Sequence, residues 1–129
     1  MAHKDRIVPT PELGDPEPFS YSNCVKAGKL VFLAGQLALD ENGEVTGDFA
    51  SQSRQVLERV IKGVEAAGGT IDDIVTMTIY VLDVRHGRTF TAIRHEMFGR
   101  DFPASTLVGV TNLMPPDALI EVQAMAVLP

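Results

Sequence analysis

Two apolar runs near the C-terminal end constrain this fold more than any other stretch. The first is Phe102-Pro103-Ala104-Ser105-Thr106-Leu107-Val108-Gly109-Val110, and the second is Leu119-Ile120-Glu121-Val122-Gln123-Ala124-Met125-Ala126-Val127. A polar break at Thr111-Asn112 and Pro115-Pro116-Asp117 separates them. Short apolar runs bounded by turn residues read as two buried strands joined by a loop. The second run contains a single acid, Glu121. Burying a carboxylate costs free energy unless something pairs with it. Period-two alternation puts Glu121 and Gln123 on one side of the strand. Either that side faces solvent, or it lines a pocket whose surroundings tune the carboxyl for acid–base work.

The preceding chain reads as strands, a helix, a strand and a second helix. Met1 to Glu17 holds three prolines and mixed charge and is expected to be an irregular N-terminal arm. Tyr21 to Ala27 is a first strand, Gly28-Lys29 a two-residue hairpin turn, and Leu30 to Ala34 a second strand. Gly35-Gln36 marks a bulge or bend. Leu37 to Val45 is a short ribbon turning at Asn42-Gly43. Asp48 N-caps the first helix. Leu57, Val60, Ile61, Val64 and Ala67 form its inward stripe, and Arg54, Glu58, Arg59, Lys62 and Glu65 its solvent face. Gly68-Gly69 ends it. Ile74 to Leu82 is a third strand, with Val75, Met77, Ile79 and Val81 on one face and Thr76, Thr78 and Tyr80 on the other. Arg88 to Phe98 is the second helix, with Phe90, Ile93 and Met97 inward.

This order describes one α+β domain over residues 1–129: a mixed β-sheet with two helices on one face. Two helices cannot cover both sides of the sheet. The strands offer apolar residues to both, as Leu107 with Val108 and Ile120 with Met125 show. An uncovered apolar face would be a sticky patch, so self-association is expected.

The formal net charge is −6, and Arg85-His86-Gly87-Arg88 and Arg94-His95 are the longest basic clusters. An acidic chain is repelled by phosphate backbones, so no nucleic-acid partner is expected. The single cysteine, Cys24, rules out an internal disulfide and suits buried packing. With no signal peptide and no apolar run of membrane-spanning length, a reduced, cytoplasmic protein with no membrane partner is expected. His3, His86 and His95 are scattered, and no Cys/His cluster has metal spacing.

Four ordered blocks carry a family resemblance. They are Tyr21-Ser22-Asn23-Cys24-Val25-Lys26-Ala27-Gly28, Leu30 to Leu37 with its Ala34-Gly35-Gln36, Val64 to Gly69 followed by Ile74-Val75, and the Pro103-Ala104 and Ile120-Glu121-Val122 segments. Together they resemble the Rid family, also called YjgF or endoribonuclease L-PSP, from about Tyr21 to Val127. The resemblance implies a chorismate mutase-like fold and a homotrimer whose sheets surround a central barrel, with small-molecule clefts between subunits. It implies no cofactor. The family's deaminases hydrolyse small enamines and imines to 2-keto acids and ammonia.

Carried over position by position, the resemblance implies catalytic roles for Glu121, Tyr21 and Thr106, and substrate contacts for Ser105, Ala34 and Leu107. Three positions depart from the family pattern. Ser105 stands where the deaminases have an arginine that holds the substrate carboxylate, Ala34 where many members have Ser, and Leu107 where some have Cys. With the arginine gone, Glu121 is the expected remaining charge, and the pocket suits a neutral or cationic small molecule better than an anion. Three functions follow: a hydrolase of altered imines or enamines, a trimer that binds or senses a metabolite without chemistry, and a ribonuclease or translation inhibitor. The acidic charge argues against the third.

Overall fold

Gly28 takes a left-handed φ of 60° at the reversal between the first two strands, where a side chain would be strained. The computed structural model describes residues 6–129; the part of the expected arm before Arg6, with His3, lies outside the described residues. β1 (Cys24–Ala27) pairs antiparallel with β2 (Leu30–Gln36). The Asp48 carboxylate accepts the Ser51 N–H at 2.9 Å and opens α1 (Phe49–Ala66). β3 (Ile74–Val81), α2 (Gly87–Phe98), β4 (Ala104–Gly109) and β5 (Ile120–Val127) follow. The sheet order is β1-β2-β5-β3-β4, antiparallel throughout except for β3 with β4. This is the expected α+β architecture of one mixed sheet with two helices.

β5 is central, flanked by β2 and β3. Ile120, Val122, Ala124 and Ala126 are buried, and the residues between them are not. Val56, Leu57, Val60 and Val64 of α1 belong to the same core. Each fully buried Val, Leu or Ile contributes about 1.5–3 kcal/mol of transfer free energy. The other sheet face keeps Leu30 42%, Phe32 39% and Val127 39% exposed, so an uncovered apolar face is present, and these three residues are other than those singled out from the sequence. Among the described residues, no helix is long and apolar enough to cross a membrane.

Several expectations need correction. β4 is not a buried strand: Ala104, Ser105, Thr106, Val108 and Gly109 are exposed, because β4 is an edge strand pairing with β3 alone. Tyr21 precedes the first strand, which starts at Cys24. Val75 is exposed, because a register shift between Ile74 and Thr76 turns it outward and gives its inner place to Ile74. The ribbon after β2 is a single Leu39–Val45 bridge. Arg59 is half-buried rather than solvated, its Nη2 donating to the Leu13 carbonyl at 2.9 Å.

Candidate functional site

Glu121 lies on the sheet face turned away from the helices, directly opposite Tyr80 on β3. Cross-strand neighbours of this kind have Cβ atoms about 4.5–5.5 Å apart. On the β2 side, the register shifts between Leu33 and Gln36, and Gly35 falls beneath the carboxylate. A Cβ at Gly35 would collide with Glu121 Oε2 and lie 2.8 Å from Cδ. The missing side chain of Gly35 is therefore the notch that holds the acid. Burial pushes the Glu121 carboxyl above the ordinary carboxylate range. The sequence left open whether this acid faces solvent or a pocket; it is half-buried and lines a groove.

Tyr21, Asn23, Ala34, Gln36, Arg59 and Met114 share that groove. Its back is polar. Gln36 Nε2 donates to the Ala34 carbonyl at 3.1 Å and to Asn23 Oδ1 at 3.4 Å. Asn23 Nδ2 donates in turn to the Gly14 carbonyl at 3.3 Å. The Arg59 Nε is buried without a partner.

Gln52 fixes the approach to the site from inside α1. Its Nε2 donates to the carbonyls of Gly47 and Asp117, each at 3.0 Å, and its Oε1 accepts the Leu119 N–H at 2.8 Å. One buried amide thus ties the loop before β5 to the helix, two residues from Glu121.

Tyr21, Ala34 and Glu121 come together in one chain; Ser105, Thr106 and Leu107 do not join them. Pairing with β3 puts Ser105 and Leu107 on the helix-facing side, level with Met77 and Ile79. Thr106 shares the face of Glu121 but is two strands away. With strands about 4.8 Å apart and residues about 3.4 Å apart along them, that separation is roughly 12 Å. Ser105 is not alone, however. Arg94 of α2 places Nη1 2.5 Å from Ser105 Oγ. The expectation that Glu121 is the remaining charge is corrected by Arg59, which lines the same groove; a further guanidinium, that of Arg94, stands beside the serine. Burial holds its pKa below the usual arginine value.

Tyr80 and Arg94 are the neighbours that sequence reading undervalued. The alternation of β3 already put Tyr80 on the face opposite Met77 and Ile79, but pairing it with Glu121 needed the register. Arg94 needed the tertiary placement of α2 over β4. Among the described residues, no group of three or more His, Cys, Asp or Glu converges to hold a metal.

Comparison with known proteins places these features in a family. The model described as Endoribonuclease L-PSP matches residues 16–128. The 3-aminoacrylate deaminase RutC of Acinetobacter baylyi is 36% identical over 126 residues, covering 95% of this chain and 97% of that protein. A 2-iminobutanoate/2-iminopropanoate deaminase of Escherichia coli is 38% identical over 111 residues, covering 83% and 86%. The crystal structure of RidA from an Antarctic Psychrobacter superimposes with a TM-score of 0.81 at 28% identity, covering 84% and 89%. With the sheet order, the helix pair and the C-terminal acid in place, the chain belongs to the Rid, or YjgF/endoribonuclease L-PSP, family.

Proposed function

We propose that this protein hydrolyses small imines or enamines in clefts formed between copies of itself, releasing ammonia and leaving a carbonyl compound. The observation that carries this reading is Glu121, half-buried over Gly35 with its pKa raised by burial. A carboxyl titrating nearer neutrality serves in both protonation states. Protonated, it delivers a proton to the enamine carbon or imine nitrogen. Ionised, it takes a proton from the attacking water. Tyr21 borders the same groove and orients the ligand. The two relatives named as deaminases of 3-aminoacrylate and of 2-iminobutanoate or 2-iminopropanoate support this chemistry.

The cleft reading rests on the separation within one chain. Thr106, Ser105 and Leu107 lie on an exposed edge strand, and a second copy carrying its own Glu121 groove would bring the two sets together. The uncovered Leu30, Phe32 and Val127 supply an apolar surface for a homotrimer. Ser105 in the arginine position alters how a substrate is held, and with it the substrate range.

The test generates anionic imines in situ with an amino-acid oxidase and neutral ones with a flavin amine oxidase, and follows ammonia release. The wild type should exceed the buffer rate for at least one imine, and Glu121→Gln should return to it. A wild-type rate no faster than buffer for both neutral and anionic imines contradicts the proposal. Ala34 gives the Glu121 groove an apolar wall and favours a second reading, a binding-only trimer. Saturable binding without ammonia release would select it.

A further inference from the structure

We propose that Arg94, reaching from α2 to Ser105 on the edge strand, is the anchor for a substrate carboxylate, with Ser105 as its positioning residue. The inference deepens the reading of the cleft given above and rests on it for the reaction, though not for binding.

Three observations converge on Arg94. Its Cζ lies 5.1 Å over the ring of Phe90, which is fully buried and so gives one face of the guanidinium a fixed support. Its Nη1 is held by Ser105 Oγ at 2.5 Å. Its charge is unspent. Arg54, Arg85 and Arg100 each find a carboxylate, in Glu96, Asp83 and Asp101, whereas among the described residues none pairs with Arg94. The nearest acid on its own helix, Glu96, is already taken by Arg54. A guanidinium presents five N–H donors in a planar fork. One neutral hydroxyl uses a single donor, and the remaining edges match a two-oxygen anion.

Ser105 is exposed on β4, so the guanidinium it holds lies at an open edge of the sheet. Glu121 of the same chain lies on the opposite face and beyond β3, too far for one small ligand to touch both. Arg94 therefore serves the Glu121 of a second copy. A substrate bound between them carries its acid group at one end and its imine nitrogen at the other. The ligand class is a small imino or enamino acid. A lysine would supply the charge at this position but not the fork.

The test is calorimetric binding of 2-oxobutanoate, the keto acid such a substrate would leave, against its neutral amide, 2-oxobutanamide. Wild type should bind the acid more tightly than the amide. Arg94→Gln should raise the Kd of the acid at least about tenfold and leave the amide unchanged. Arg94→Lys should fall between, and Ser105→Ala should weaken the acid a few-fold. Glu121→Gln should stop turnover without weakening the acid. Loss of acid binding in Arg94→Gln supports the anchor even where no imine is turned over. Equal binding of the acid by wild type and Arg94→Gln overturns it. So does a wild type that does not distinguish acid from amide, even with Glu121-dependent turnover intact. Should Arg94→Gln not fold, acid binding by Arg94→Lys equal to wild type overturns it as well.

Discussion

Replacing Gly35 by Ala adds one methyl group at the point where β2 touches the proposed catalytic acid. The Gly35 backbone does not use the left-handed region, so alanine fits the chain itself. The added Cβ would overlap the Glu121 carboxylate and lie 2.8 Å from its Cδ. Ordinary contact for carbon begins near 3.5 Å, so the carboxylate must shift by about 1 Å or more. It is the far end of a flexible side chain and can do so through a strained rotamer, at about 0.5–1.5 kcal/mol. Alanine also restricts the unfolded chain, which stabilises by about 0.4–1 kcal/mol where the backbone is compatible. The two effects nearly cancel. Thermal unfolding should therefore move by no more than about 5 °C. Turnover should not be so protected: a misplacement of about 1 Å costs on the order of 100-fold. The assay is ammonia release and a thermal melt on the same preparation. An alanine variant with wild-type turnover would refute the notch argument. One that loses fold and activity together would show that Gly35 serves stability instead.

Other outcomes follow from neighbouring residues. Gln52→Ala removes three hydrogen bonds and leaves the Gly47 and Asp117 carbonyls and the Leu119 N–H without their partner; denaturant unfolding should show a loss of about 2–4 kcal/mol, and a loss below about 1 would contradict the role given to this amide. Burial raises the Glu121 pKa, so the folded state holds that proton more tightly and loses stability as pH rises from the unfolded value of 4.5 through the raised one. Glu121→Gln should accordingly melt higher than wild type near about pH 7, with the advantage fading toward about pH 4; a variant that melts lower near neutrality contradicts the desolvation argument. Phe32→Glu puts a charge into the uncovered apolar face and should leave a folded monomer by light scattering, where wild type should run as a trimer; a monomeric wild type at micromolar concentration would sink the assembly.

The fold was largely legible because its signals are local. The stripe of α1, the Asp48 cap and the alternation of β5 are each set within a few residues, and each is found where expected. The failures share a cause in long-range pairing. Residues Ala104–Gly109 read as a buried strand because their composition is apolar, but an edge position with one neighbour leaves them exposed. The outward turn of Val75 comes from a register shift that alternation alone does not reveal. In the site, Glu121 stood out as an acid in an apolar run. The partner of Ser105 did not, since the Arg94 contact spans eleven positions and depends on how α2 lies on the sheet. Arg59 likewise sits at a helical position that reads as solvated, until the Leu13 carbonyl draws it inward.

The most direct test of hydrolysis in clefts shared between copies is subunit mixing. Glu121→Gln and Arg94→Gln proteins are purified, dissociated together and reassembled, and kcat/KM is measured with an anionic imine well below saturation. Each parent alone should be severely impaired. If every cleft takes Arg94 from one copy and Glu121 from its neighbour, random reassembly restores about a quarter of wild-type clefts, and activity should recover to about that level. Mixed oligomers that form, as shown by mass spectrometry, but recover nothing beyond the parents would contradict it.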